Sequence, residues 1–181
     1  LIPLAIPESS STWSWRPDGP RTIVTPGFVK PHKGYELVIE VLSLLPDWRW
    51  VIAGGAQDAR DRQYLDCLRR RIGDADLGGR VQITGYLPAT EVESHLARAT
   101  VAVLPFRSAT ASATLAWAIA CATPVVAAGL PSLADVAEDG AGVELVAGRN
   151  AEEWARALDS LVADEVRLRQ LSSSSGRYAE M

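Results

Sequence analysis

The sequence predicts an α/β fold in which a doubly wound parallel sheet of about six strands is flanked by helices. Short apolar and β-branched runs alternate with longer segments whose apolar residues recur at helical spacing. Several runs stop at proline or glycine, as in TIVTPG and VAVLP. This alternation favours right-handed crossovers between parallel strands. The expected strand order is 3-2-1-4-5-6, which places a ligand crevice at the carboxyl ends of the first and fourth strands.

Composition limits the possible functions. The chain has 181 residues and a net charge of −4, which suits one domain and argues against a nucleic-acid surface. The basic run Arg69, Arg70 and Arg71 continues a mixed helix, so we expect a solvated face. Cys67 and Cys121 lie in predicted helices and are expected to be reduced core residues of a cytoplasmic protein. No apolar stretch approaches the ~20 residues that cross a bilayer.

The two ends of the chain differ from its middle. Residues 1–20 contain prolines and turn formers without a period, which indicates a linker or N-terminal arm. Trp13 and Trp15 in this arm either pack on the domain that follows or contact another domain. The domain itself is predicted at 21–171. Residues 172–181, which begin SSSSG, are expected to form a C-terminal tail.

The first strand, at 22–26, leads into GFVKPHKG and a helix with apolar residues at helical spacing. In doubly wound folds, the turn after the first strand binds diphosphates. The spacing matches neither the dinucleotide fingerprint nor the P-loop. Lys33 precedes the helix, where its charge opposes the helix dipole, so an anion-binding role is favoured over a solvent-facing one.

The second and third strands are predicted from WRWVIAGG and RVQITG. Trp48, Trp50 and Ile52 share one face of the second strand, and a helix over 61–72 follows it. A short amphipathic helix is expected over 88–99. Its His95 is expected to be a surface or hydrogen-bonded residue, because no carboxylate or nucleophile is spaced to partner it.

The fourth strand, at 101–104, ends at Pro105 and is followed by a loop of small residues. Between 108 and 114 the chain has only Ser, Thr and Ala, so backbone N–H groups at the next helix start can reach an anion. The alternative is a capped helix without a ligand, with Thr110 or Ser112 as the N-cap. A fifth strand at 125–128, a helix at 133–137, a sixth strand at 143–146 and helices at 152–162 and 165–171 complete the prediction.

Several sequence segments together resemble those of the group 1 retaining glycosyltransferases that use nucleotide sugars. These segments are GFVKPHKG, RVQITGYL, AIACATPVVAA and GLPSLADVAEDG, and the resemblance covers nearly the whole chain. It implies a Rossmann-like fold, one half of a GT-B architecture, that binds the nucleotide-sugar donor. No metal or other cofactor is expected, since no His/Cys cluster appears and cations of the chain can neutralise the diphosphate. Residues 1–8 resemble the tether that follows the acceptor domain of that family. Such a hexosyltransferase domain is expected to be inactive without its N-terminal acceptor domain.

The resemblance also implies site residues. Gly27 and Lys33 match family positions that bind the diphosphate, with Lys33 as the catalytic cation that stabilises the leaving group. Phe28 stands where the family has arginine, and the nearby Lys30 is a candidate substitute. The donor-binding set implied in this way is Gly27, Phe28, Lys33, Gly54, Gly55, Gly85, Tyr86, Leu87, Ala109, Thr110, Ala111, Ser112, Ala113, Thr114 and Trp117, in which the residues at 85–87 contact the base.

Two acidic positions of the family are missing. Its Glu-x7-Glu motif aligns with Ala109 and Trp117, so neither carboxylate is present. Trp117 either lines the donor site near the ribose position or packs the helix on the sheet. The lost arginine and glutamates favour a noncatalytic nucleotide-binding or interaction module, whereas Lys33 and the small loop favour an enzyme. A nicotinamide enzyme is disfavoured, because the glycine fingerprint and a Tyr-x-x-x-Lys pair are absent.

Overall fold

The computed structural model describes residues 6–109 and 112–181. Six strands form one parallel sheet in the order β3-β2-β1-β4-β5-β6, which confirms the predicted fold class and strand order. The strands are β1 (Arg21–Pro26), β2 (Trp48–Ala53), β3 (Val81–Ile83), β4 (Val101–Leu104), β5 (Val125–Ala128) and β6 (Val143–Val146). The helices are α1 (Tyr35–Leu44), α2 (Ala59–Asp74), α3 (Ala89–Arg98), α4 (Ala113–Ala120), α5 (Pro131–Glu138), α6 (Ala151–Ala163) and α7 (Glu165–Ala179), with a 3₁₀ turn at Pro31–Lys33.

Helices cover both faces of the sheet, and each face has its own apolar core. One core combines residues of α1, α2 and α6 with the tryptophans of β2, and the other combines residues of α3, α4 and α5. Burial on both faces explains why the central strands β4 and β5 are continuous apolar runs instead of alternating ones. All of β4 and β5 is buried.

Thr25 is a polar residue inside β1 that joins three strands. Its hydroxyl donates to the Val103 carbonyl of β4 at 3.0 Å and accepts from Trp50 Nε1 of β2 at 3.1 Å. Because both groups are satisfied, the fully buried threonine fixes the strands around the switch in strand order. That switch lies between β1 and β4, next to the predicted crevice.

The described part of the N-terminal arm is docked on the domain. Trp13 donates its indole N–H to the Ala99 carbonyl at 2.8 Å, and its ring stacks on Trp15, which is buried. The backbone N–H of Trp13 donates to the Cys121 carbonyl, and the N–H of Ser14 donates to the Ala97 carbonyl. Both tryptophans therefore pack on this domain.

Two predictions about the chain need correction. The helix α7 (Glu165–Ala179) includes most of the residues expected to form a C-terminal tail at 172–181. Ser175 is fully buried and accepts from the Gly142 N–H, so tertiary packing outweighs the weak helix propensity of the serines. Cys67 is exposed on α2, and only Cys121 is a buried core thiol. In the part of the chain that the structure describes, no helix has the length and apolar character needed to span a membrane.

Candidate functional site

The turn after β1 has a conformation that glycine permits. Gly27 has φ 89°, in the left-handed region that other residues avoid. A Cβ at this position would lie 3.1 Å from Lys33 Nζ and 3.4 Å from Thr114 Oγ1. Gly27 therefore leaves room for the lysine head group. Gly34, with φ 71°, lies so close to the Pro105 carbonyl that no side chain would fit, which pins this turn against the end of β4.

Lys33 is buried beneath this turn. Its side chain comes from the 3₁₀ turn, is 8% exposed, and donates to the Pro26 carbonyl at 3.2 Å and to Thr114 Oγ1 at 3.1 Å. The Phe106 ring lies 5.7 Å from the ammonium nitrogen. No carboxylate in the described residues forms an ion pair with Lys33. An ammonium has three donors, so one remains for a ligand after these two bonds.

The positive charge of Lys33 is buried and poorly compensated. Loss of solvation, with a smaller effect of the Lys30 charge, lowers the pKa of Lys33 from 10.5 to about 8. Burial also lowers the pKa of His32, and the charges of Lys33 and Lys30 lower it further. Burial is the larger cause of both pKa shifts, and the smaller contributions come from the neighbouring positive charges. Those neighbouring charges favour an anion in the cavity.

The loop after β4 and the start of α4 form the opposite wall. Ser112 is the N-cap of α4, and its hydroxyl accepts from the Leu115 N–H at 3.0 Å, so the predicted cap is present. The Thr114 hydroxyl donates to the Pro26 carbonyl at 3.3 Å, which ties α4 to the end of β1. Ser132 of α5 donates to the Ala109 carbonyl and holds the loop on its other side. Thr110 and Ala111 lie outside the described residues.

Direct bonds join the two loops. The Arg107 N–H donates to the His32 carbonyl at 2.7 Å, and the Arg107 guanidinium pairs with Glu36 of α1. Arg149 donates to the Phe106 and Arg107 carbonyls. The walls of the crevice are therefore held in place independently of any ligand.

These walls enclose a cavity of about 560 Å³, within the usual range of small-molecule sites of ~300–1,000 Å³. Eight residues of the predicted donor-binding set line it, together with Lys30, the candidate substitute, and Ser108 of the predicted small-residue loop. The sequence did not indicate the two remaining lining residues, His32 and Phe106. The predicted residues are Gly27, Phe28, Lys33, Ala109, Ser112, Ala113, Thr114 and Trp117. We call this space the lysine cavity.

Five other predicted site residues, all described by the structure, are not among those that line the lysine cavity. Gly54 and Gly55 allow close backbone approach: a Cβ on Gly54 would collide with the Gly27 carbonyl, and one on Gly55 would lie 3.1 Å from Gly85 Cα. Tyr86 is 80% exposed, and Leu87 is half-buried. The glycines thus have a packing role that needs no ligand.

Lys30, the candidate substitute for the missing arginine, is held by an ion pair. Its Nζ lies 2.7 Å from Asp61 Oδ2, and the Asp61 side chain is only 4% exposed. Burial raises the pKa of the Asp61 carboxyl, but the Lys30 hydrogen bond and backbone N–H bonds outweigh it, so the pKa lies below its usual value. Lys30 therefore contributes a charge that is already largely balanced, unlike Lys33.

Trp117 lies between the two locations proposed from the sequence. It projects from α4, lines the lysine cavity, and also packs partly on the core that α3, α4 and α5 share. Because it is half-buried, it is neither a free surface residue nor a full core residue.

Acidic and histidine residues do not gather at the cavity. Across residues 6–109 and 112–181, no three His, Cys, Asp or Glu side chains form a metal-binding group. The two nearby carboxylates of the sequence Asp74-Ala75-Asp76 lie where α2 ends and β3 has yet to begin. They are therefore at the amino ends of the strands, whereas the lysine cavity is at the carboxyl ends. His95 on α3 is half-buried, and burial lowers its pKa; it does not line the lysine cavity.

The sheet order and the cationic crevice define a Rossmann-like domain with its site at the switch between β1 and β4. The model of the family described as glycosyl transferases group 1 matches residues 11–179. The chain belongs to this family. It is 28% identical over 161 residues to D-inositol 3-phosphate glycosyltransferases of Mycobacterium tuberculosis and Mycobacterium bovis. That match covers 88% of this chain and 33% of the relative, so the chain spans about a third of the curated relatives' length.

Solved structures share the fold. Anabaena HepE in complex with UDP and glucose has a TM-score of 0.77 at 19% identity, over 88% of this chain and 43% of that one. The C-terminal domain of a group 1 glycosyl transferase from Francisella tularensis (LpcC) has a TM-score of 0.73 at 19% identity, over 88% of this chain and 84% of that one. These likenesses confirm the expected fold, one half of a GT-B architecture.

Proposed function

We propose that this chain is the donor-binding domain of a retaining glycosyltransferase, and that it holds a nucleoside diphosphate sugar with the diphosphate in the lysine cavity. The observation that carries the proposal is Lys33, a cation 8% exposed that lacks a carboxylate partner among the described residues. Burying such a charge is costly unless an anion compensates it. The family membership supports the same choice of ligand, as do relatives whose complexes contain UDP.

The proposed chemistry relies on positive charge. When the bond from sugar to phosphate breaks, negative charge grows on the departing diphosphate, and a preplaced ammonium stabilises it. Lys33 has its third N–H available for a phosphate oxygen, while Pro26 and Thr114 fix the other two. Because charged side chains fill this role, no metal or other cofactor enters the proposal.

The acceptor is proposed to bind a second, N-terminal domain, with hexosyl transfer occurring between the two. Transfer depends on holding donor and acceptor in one water-poor cleft. The chain alone is therefore expected to bind donor without transferring sugar.

A noncatalytic nucleotide-binding module of the same fold is the second candidate. The substitutions at the site favour it: Phe28 lines the cavity where the family has arginine, and Ala109 and Trp117 replace its two glutamates. The two candidates agree on diphosphate binding and differ on turnover in the presence of the acceptor domain.

Calorimetric titration of nucleoside diphosphates and the matching nucleosides tests the shared step. Lys33→Met should lower the affinity for nucleoside diphosphates at least tenfold, about the value of one charge-assisted hydrogen bond. The affinity for nucleosides should not change. Equal losses for both ligands would contradict the assignment. Release of nucleoside diphosphate from nucleotide sugars by this chain, clearly above the Lys33→Met level, would contradict the two-domain proposal.

A further inference from the structure

A second cavity lies beside the first, between the N-terminal arm, α3 and α4. Its volume is about 510 Å³, and Ile6, Glu8, Glu93, Ala113, Ala116 and Trp117 are among the residues that line it. Ala113 and Trp117 line both cavities, so the indole stands where the two spaces meet. We call this space the arm cavity.

Glu93 is an unusual residue to find in such a wall. It is 6% exposed, and its Oε2 accepts from the Ser10 N–H at 3.2 Å and from the Ser10 hydroxyl at 3.1 Å. Among the described residues, no donor bonds Oε1 and no lysine or arginine pairs with this carboxylate. A buried carboxylate with one oxygen satisfied retains the capacity to accept from a ligand.

The two cavities differ in charge and so select different parts of a ligand. The lysine cavity has ammonium groups and suits phosphate, whereas the arm cavity has the carboxylates of Glu93 and Glu8, which repel phosphate. Hydroxyl groups donate short, strong hydrogen bonds to carboxylates. The indole of Trp117 adds an apolar surface on which the C–H face of a ring can lie.

From these contacts we infer that the arm cavity binds a polyhydroxylated ring, with Glu93 as the hydroxyl acceptor and Trp117 as the stacking surface. The inference rests on the proposed function for its link to the lysine cavity: a ligand anchored there by its diphosphate places its ribose toward Trp117. Glu93, from α3, then supplies the carboxylate that α4 lacks. The same chemistry fits a separate cyclic polyol, and the experiment distinguishes the two sources.

The test compares Glu93→Gln with Glu91→Gln, a matched change at an exposed position of the same helix. Glutamine keeps an acceptor for Ser10, so both variants should melt near the wild-type temperature. Ligands are ribonucleoside diphosphates, their 2′-deoxy counterparts, pyrophosphate, glucose and myo-inositol. Glu93→Gln should lower the affinity for ribonucleoside diphosphates about tenfold and leave the affinity for pyrophosphate unchanged. The difference in affinity between the ribonucleotides and their 2′-deoxy counterparts should become smaller. Glu91→Gln should change none of them.

Each other outcome has a defined meaning. An effect of Glu93→Gln on glucose or myo-inositol alone supports the ring site and identifies a separate polyol as its occupant. Equal affinities of the Glu93→Gln and Glu91→Gln proteins for every ring ligand overturn the inference. If pyrophosphate fails to bind the wild type, the proposed function fails, while the polyol titrations still decide the arm cavity. As a second variant, Trp117→Leu should weaken ring ligands and spare pyrophosphate; the reverse pattern also overturns the inference.

Discussion

Replacement of Lys33 by methionine is expected to stabilise the protein at neutral pH, although it removes the main cation of the site. The pKa of Lys33 falls from 10.5 to about 8 because burial disfavours the charged form. Each unit of pKa difference corresponds to about 1.4 kcal/mol, so the charged lysine disfavours folding by about 3 kcal/mol at pH 7. Methionine fills similar space without that cost.

The sign of the pH dependence follows from proton binding. Between pH 8 and 10.5 the unfolded chain holds a proton on Lys33 that the folded protein has lost, so stability rises with pH in this window. The penalty is complete below pH 8 and disappears above 10.5. The advantage of Lys33→Met should shrink over the same range.

Two hydrogen bonds offset part of the gain. Lys33 donates to the Pro26 carbonyl and Thr114 Oγ1, and their loss costs about 1 kcal/mol in total, because Thr114 still donates to Pro26. The expected net stabilisation is therefore about 2 kcal/mol near neutral pH. Such an exchange of stability for a charged site is common where function needs a poorly solvated group.

Urea unfolding of both proteins at several values between about pH 6.5 and 9.5 measures this difference. Lys30→Met is the matched control, since it removes the partner of the buried Asp61 carboxylate and should destabilise the protein. The chain contains two lysines, so NMR of selectively labelled lysine side chains gives the pKa of Lys33 directly. Destabilisation by Lys33→Met at pH 6.5, or a gain independent of pH, would refute the reasoning.

Two further predictions concern side chains that stabilise the fold, Asp61 beside the lysine cavity and Arg80 at the amino ends of the strands. Asp61→Asn should lower the free energy of unfolding by about 1–3 kcal/mol at pH 7, because the ion pair with Lys30 is lost. Since the pKa of Asp61 is depressed, this difference should vanish as acid protonates the wild-type carboxylate. Urea unfolding of both proteins from pH 7 to 3 measures it. Arg80→Gln should cost about 2 kcal/mol, because the Arg80 guanidinium caps the carbonyls of Leu42, Leu45 and Trp48. Exposed Arg71→Gln is its control, and equal melting temperatures for the two variants would contradict the capping role.

The strand order could be predicted from the sequence because the signals were local and consistent. Apolar runs such as VAVL in β4 and the helical spacing in α1 each specified one element, and chirality reduced their arrangement to one order. Where the prediction failed, at residues 172–176, local propensity opposed the tertiary contacts. The burial of Ser175 against Gly142 involves residues 33 positions apart, which no local pattern reveals.

The site was predictable where a turn or loop follows a predicted strand, as it does after β1 and after β4. Gly27 and Lys33 share such a turn, and both line the cavity. Phe106 and His32 were missed because their place at the site depends on two loops meeting, through bonds such as the one from the Arg107 N–H to the His32 carbonyl. The depth of Lys33 was also hidden, since Pro26 and Thr114 enclose it from different elements. The position of Glu93 required the docked arm, which has no periodic signal of its own.

The substitutions relative to the family fall into two groups with different physical consequences. The parts kept are those proposed to hold an anion, namely Gly27, Lys33 and the small-residue start of α4, which line the lysine cavity. Two of the parts changed are Ala109 and Trp117, which the sequence resemblance aligns with the two glutamates of the family. Loss of diphosphate binding would have freed Lys33 from its costly burial, since a neutral residue there is more stable. Retention of that cost argues that the anion is still bound, and that the changes at Ala109 and Trp117 alter which ring accompanies it.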